Sequence, residues 1–280
     1  MNERALTLEE IHKETLGILK KIISICDELK INYFLAYGSL IGAVRHQGFI
    51  PWDDDLDLIM LRPDYDKFLK YCGDHEKELF PFKLMGRHNT PGFPFTISRF
   101  CDLRYKMVSD EITDAGMGMF IDIYPFDGAG SDPDDAMKKT GKKRKFYLKC
   151  VYSALQKHYH PSSKGLLRNL VKFPGYCFAH IMGEDFFLDR LEKFKDTFPL
   201  EESKYVNCMV WDWPIKLKEK KHFEEFTYLP FEGIQVKVPK EYDAVLRASY
   251  GDYMQLPPEE QRVPHHEYSL YRKPEYFESN

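Results

Sequence analysis

Four acids crowd into the five residues Asp53-Asp54-Asp55-Leu56-Asp57. Asp55 and Asp57 stand two apart where the apolar run Leu56-Asp57-Leu58-Ile59-Met60 begins, and that run reads as a strand. Residues i and i+2 of a strand share a face, so both carboxylates can aim at one point. Like charges that close repel, and a divalent cation is their natural partner. Oxygen ligands favour Mg²⁺, with Mn²⁺ as substitute, over zinc. Gly38-Ser39 follows the short aromatic run Tyr33-Phe34-Leu35-Ala36-Tyr37. Glycine there lets backbone approach a phosphate, and N–H groups at a helix start can hold it. The segment matches neither a Walker A loop nor G-x-G-x-x-G. A third acid, Asp122, interrupts Met119-Phe120-Ile121-Asp122-Ile123-Tyr124, where burial without a partner is expensive. Two acids on one strand and one on a neighbour make a metal triad for phosphoryl or nucleotidyl transfer. Asp122 is also placed to take a proton from an acceptor hydroxyl. Alone, the acidic block could be a solvated or calcium-binding loop. Its combination with Gly38-Ser39 and Asp122 points to chemistry.

The elements that must position these groups are legible in outline. Thr7-Leu8-Glu9-Glu10 has capping-box spacing, and Leu8, Ile11, Ile18, Ile22, Cys26 and Leu29 follow a helical stripe, predicting a helix over 7–30. Short helices are expected over 39–46 and 63–71, with strands over 82–85, 95–100 and 119–124. Asp132-Pro133 reads as a helix start. The pattern then stays mainly helical to about 198, broken near His160-Pro161 and at Phe173-Pro174-Gly175. A strand over 234–238 and a helix over 240–250, stopped by Gly251, close the pattern. The expected fold class is α/β (α+β), a mixed sheet core with flanking helices and a helical second half. Its expected divisions are a catalytic core over 1–130, a helical insertion over 131–200 and a C-terminal part over 201–280 that completes core and site.

Composition sets bounds. The chain carries 40 Lys plus Arg against 44 Asp plus Glu, a formal charge of −4, which speaks against a dedicated nucleic-acid binder. Six scattered cysteines without a C-x-x-C pair read as free thiols of a reducing compartment. The longest stretch without Asp, Glu, Lys or Arg, Ile31 to Val44, is too short to span a bilayer. A cytoplasmic protein that meets any membrane-bound acceptor peripherally is expected. Lys142-Lys143-Arg144-Lys145 reads as a solvated helix face or as a contact for an anionic surface.

The run Tyr37 to Leu58, through Gly38-Ser39-Leu40-Ile41-Gly42, Arg45-His46 and Trp52-Asp53-Asp54-Asp55, closely resembles the core motif of the LicD family. Phe120 to Asp127 is similar to that family's second block, and Tyr250 to Pro258, with Arg262 and His265 beyond it, to its C-terminal block. The resemblance implies a nucleotidyltransferase-like core. It also implies transfer of phosphocholine from CDP-choline to a sugar hydroxyl of a bacterial surface glycan (teichoic acid, lipopolysaccharide or capsule), with release of CMP. Carried over, Asp55, Asp57 and Asp122 would hold Mg²⁺, and Gly38 and Ser39 would face the donor's phosphates. Arg45 and His46 are candidate phosphate contacts, Arg262, His265 and His266 could close over the donor from the C-terminal side, and Asp53 is an outer helper or substrate contact; Asp54 is expected to point away. An aromatic cage for choline could form at Trp211 and Trp213 or at Trp52. Related enzymes use other donors, so CDP-ribitol, CDP-glycerol or a nucleoside triphosphate stays open, as does a non-catalytic nucleotide-binding module. The oligomeric state is not indicated.

Overall fold

Thr7 starts the first helix as its spacing predicts. Its hydroxyl accepts from the Glu10 N–H at 3.3 Å, and the Glu10 carboxylate accepts from the Thr7 N–H at 2.9 Å. Helix α1 (Leu8–Leu29) turns Ile18, Leu19, Ile22, Ile25 and Cys26 into the core. The computed structural model describes residues 4–110, 115–161, 166–264 and 268–277. After α1 come β1 (Phe34–Leu35), α2 (Tyr37–His46), β2 (Asp57–Leu61), α3 (Arg62–Asp74), α4 (Glu76–Leu79), β3 (Phe82–Met85), β4 (Ser98–Asp102), β5 (Tyr105–Val108) and β6 (Met119–Gly128). Helices α5 (Lys142–Leu155), α6 (Leu166–Met182) and α7 (Glu184–Glu192) follow. Then come β7 (Tyr205–Asn207), β8 (Lys218–Glu219), β9 (Phe226–Phe231), β10 (Ile234–Pro239), α8 (Tyr242–Tyr250) and β11 (Ser269–Arg272).

The central sheet runs β1-β2-β6-β4-β3. β2 and β6 are parallel, and the remaining pairs on this path are antiparallel. This is the expected mixed α/β sheet with helices packed on it. β7 extends the far end of β6 and carries β8, β9 and β10 form a hairpin, and β11 returns to pair with β5. Leu148 and Val151 of α5, Ala179 of α6 and Phe187, Leu188 and Leu191 of α7 make a separate apolar cluster. Among the described residues no helix is long and apolar enough to cross a membrane, and none of the six cysteines is disulfide-bonded.

Asp132 starts helical backbone as its spacing predicts: its carboxylate accepts from the Asp134 N–H at 2.8 Å, and its own N–H donates to the Asp135 carboxylate at 3.2 Å. The backbone is helical from Asp135 and passes through a π-turn at Met137–Gly141 into α5. Other features differ from expectation. α6 passes through Pro174, where a break was expected. The missing N–H costs roughly 3 kcal/mol, and aromatic packing on both sides of it, Tyr159 with Phe173 and with Tyr176, holds the helix. In the basic block the three lysines are exposed, but Arg144 is wholly buried. Its guanidinium donates to the carbonyls of Cys208 at 2.9 Å and Asp212 at 2.7 Å. A helical period cannot tell a solvated cation from one that ties a distant loop.

Gly42 fixes how α2 meets the loop behind it. A Cβ there would sit 2.4 Å from the Gly48 carbonyl oxygen, a backbone atom that cannot swing aside. Gly42→Ala is therefore expected to cost about 1–3 kcal/mol, measured by denaturant unfolding. An unchanged midpoint would show that the loop yields freely.

Candidate active site

β2 and β6 bring the acids together. In the parallel register Asp57 lies opposite Asp122, and the Asp122 N–H donates to the Leu56 carbonyl at 3.1 Å. Ser39, buried in the first turn of α2, accepts the Asp57 N–H at 2.9 Å through its Oγ. The Ala36 N–H donates to the Asp57 carbonyl at 2.9 Å. Strand, helix start and acidic block are thus tied at one point. Gly38 allows the closeness: a Cβ on it would lie 2.6 Å from Asp53 Oδ2. On the other side His12 Nε2 pairs with the Asp53 carbonyl at 2.6 Å, its ring stacked on Phe49.

A cavity of about 680 Å³ opens over this junction, a size ordinary for a small-molecule site. Gly38, Arg45, Trp52, Asp53, Asp55 and Asp57 line one side, and Tyr250, Asp252, Tyr253, Gln255 and Gln261 come from the C-terminal segment. Ser39, His46, Asp122 and Arg262 do not line it. His265 and His266 lie outside the described residues.

The electrostatics are unusual. Asp57 is buried, and its Oδ1 has no hydrogen-bond partner. Burial, and then the neighbouring charges of Asp55, Asp122 and Asp53, push its carboxyl well above the usual carboxylate range. Such a carboxyl fits a cation, which would offset both effects. Asp122 has found another partner: Arg99 Nε donates to its Oδ1 at 2.7 Å, and Nη2 approaches Oδ2 at 3.4 Å. Consistently, among the described residues no three His, Cys, Asp or Glu side chains converge as a ready-made metal cage. Asp55 and Asp57 suit Mg²⁺ as a two-carboxylate site completed by substrate phosphates, and the loosely held Oδ2 of Asp122 leaves that acid capacity for a further bond. Asp54 is buried and is not among the residues that line the cavity.

Cations gather at the rim. Arg45 Nη1 donates to the Tyr253 carbonyl at 2.8 Å, and its Nε to His46 Nε2 at 2.9 Å. Burial, and then the charge of Arg262, lowers the Arg45 pKa from its ordinary value, which places the two guanidiniums within each other's field. Arg262 stands 5.6 Å over the Trp52 ring and donates to the Pro257 carbonyl at 2.9 Å. Trp211 instead packs edge-on against Phe95 and tilted against Tyr152, and Lys145 sits over Trp213. Neither indole lines the cavity.

Three features escaped the sequence reading. Arg99, a lone cation in an apolar strand, carries the same signal that singled out Asp122 and could have been found by it. Asp212 is half-buried, with the Tyr37 hydroxyl donating to it at 2.7 Å; Tyr37 holds φ 45°, rare for a bulky residue and costly. Tyr250 and Tyr253 wall the cavity, and only the chain's return path puts them there.

An acid-bearing mixed sheet with a cationic rim is the architecture of a phosphate-handling catalytic domain. Over residues 30–174 the chain matches the family model described as LicD/FKTN/FKRP, nucleotidyltransferase domain. It belongs to the LicD family. It is 30% identical over 271 residues, 94% of this chain and 97% of the relative, to the lipopolysaccharide cholinephosphotransferase LicD of Haemophilus influenzae. Uncharacterized proteins of Rickettsia prowazekii and Rickettsia typhi are 42% identical over 62 residues, 22% of this chain and 21% and 18% of theirs.

Proposed function

We propose that this chain transfers phosphocholine from CDP-choline to a sugar hydroxyl of a cell-surface glycan, of which lipopolysaccharide is the first candidate, and releases CMP in a Mg²⁺-dependent reaction. Family membership makes it a transferase; the donor, the acceptor and the metal are the proposed part. The observation that carries the reading is the end-to-end likeness to the Haemophilus enzyme. The cavity agrees with it, since Asp53, Asp55, Asp57 and Arg45 meet Tyr250, Asp252 and Tyr253 there, on segments from both ends of the chain.

Asp55 and Asp57, joined by Asp122, would hold Mg²⁺, which when bound neutralises phosphate oxygens and orients the phosphorus for in-line attack. The first turn of α2 has no side-chain cap, so its N–H groups can point at the donor's phosphates. Gly38 lets them approach. Arg45 and Arg262 place positive field over the pyrophosphate and hold CMP as it leaves. Trp52, Tyr250 and Tyr253 offer aromatic faces to the quaternary ammonium. The acceptor oxygen bonds phosphorus as the bond to the CMP oxygen breaks, and the hydroxyl proton passes to a carboxylate of the acidic set.

A donor panel tests this, reading CMP against pyrophosphate. CDP-choline is expected to give CMP, a chelator to abolish it, and Mg²⁺ or Mn²⁺ to restore it. CMP from CDP-ribitol or CDP-glycerol alone would keep the chemistry and remove choline. Pyrophosphate from a nucleoside triphosphate would make it a nucleotidyltransferase. Metal binding with no product from any donor would leave a binding module.

A further inference from the structure

The segment from Ala136 to Gly183 contains no Asp or Glu, yet it carries eleven Lys and Arg. The whole chain sums to −4, so the remainder carries −15 and the cationic region is a local feature. It comprises the turn into α5, α5 and α6, which pack side by side. Lys142, Lys143, Lys145 and Lys149 of α5 are exposed, as is Lys172 of α6.

α6 is amphipathic in the wrong sense for a core helix. Leu170, Phe173, Pro174, Cys177 and Ile181 recur at i, i+3, i+4, i+7 and i+11, which is one face at 3.6 residues per turn. That face belongs inside a globular protein. Here Leu170 is 63% exposed, Phe173 52% and Ile181 82%, while Ala179 on the opposite side is buried. The helix is docked by its other side, with His180 against the Gln156 carbonyl and Phe178 against Phe187. The exposed aromatics Phe146 and Tyr152 lie on the neighbouring α5.

We infer that α5 and α6 form a docking surface for an anionic lipid bilayer, α6 lying in the interface with its apolar stripe in the acyl boundary and the lysines over the headgroups. Apolar stripe and cationic surround are the two components of interfacial binding. A polyanion such as nucleic acid would use the lysines but has no use for Leu170 and Ile181. A second copy of the chain would bring the same cations against themselves. With 17 residues, Pro174 inside and Lys172 on it, α6 is suited to lie on a bilayer and not to span it.

The test is flotation of the full chain with phosphatidylcholine vesicles and with vesicles of equal phosphatidylcholine and phosphatidylglycerol, without donor or acceptor, so it is independent of the transfer chemistry. Binding is expected to the anionic vesicles alone and to weaken with salt. Leu170→Glu with Ile181→Glu should weaken it at least about tenfold, and Lys142→Glu with Lys143→Glu and Lys145→Glu about a hundredfold. All five side chains are exposed, so thermal melts should be unchanged. No vesicle binding by the parent, binding that the apolar pair does not affect, or a dimer in gel filtration that Ile181→Glu dissolves would overturn the inference. Retention on an RNA or heparin matrix with no vesicle binding would assign the surface to a polyanion instead.

Discussion

Asp57→Asn is expected to lower CMP release by about a thousandfold or more while the protein keeps its fold. Asp57 is the point at which the site is tied together: its N–H goes to Ser39, its carbonyl to the Ala36 N–H, and its neighbour across the sheet is Asp122. Those are backbone bonds, and asparagine keeps them. The substitution removes a charge that burial and three nearby acids already oppose. Unfolding temperature should therefore stay level or rise, since a buried charge without its counter-ion is costly. Asp55→Asn should lose comparable activity. The reading pairs CMP release with a thermal melt. Retention of a tenth or more of the activity in a well-folded Asp57→Asn variant would remove the metal-site account.

Arg99→Met should produce the largest loss of stability. Arg99 and Asp122 are cross-strand neighbours, both buried, joined at 2.7 Å. The guanidinium lies between the rings of Phe95 at 4.1 Å and Phe120 at 3.8 Å. Methionine fills much of the space and keeps apolar contact with those rings, but it leaves the Asp122 carboxylate buried without its cation. Breaking one side of such a pair costs about 3–5 kcal/mol, or a fall of roughly 6–15 °C in melting temperature for a chain this long. Adding Asp122→Leu should recover much of the loss, because both charges are then gone. If single and double variants are equally damaged, the pair is not what holds the strands, and packing on Arg99 alone explains the effect.

These two cases show what local sequence could reveal. Asp55 and Asp57 were legible because charge repulsion acts over two residues, although β2 begins only at Asp57 and Asp55 precedes the strand on which both were expected. Asp122 was legible as a lone acid in an apolar strand, and Arg99, a lone cation in another, carries the same signal and pairs with it. The cap at Thr7, β3 at 82–85, and the stop at Gly251 follow from contacts within a turn or a strand. The exceptions were decided by distant groups. α6 runs through Pro174 because aromatic rings clamp it, and Arg144 is buried because the loop carrying Cys208 and Asp212 comes to it.

By itself the sequence determined the class of chemistry. Gly38, Asp55 and Asp57 all line the cavity and lie within 20 residues of one another in the chain, so local spacing could single them out. Only the tertiary structure decided the wall of the site. The parallel pairing of β2 with β6 sets Asp57 against Asp122, and the return of the C-terminal segment brings Tyr250 and Tyr253 over an acidic block almost two hundred residues earlier. Such contacts depend on strand order and chain path. No local period encodes them, because they are chosen by which apolar faces can be buried together.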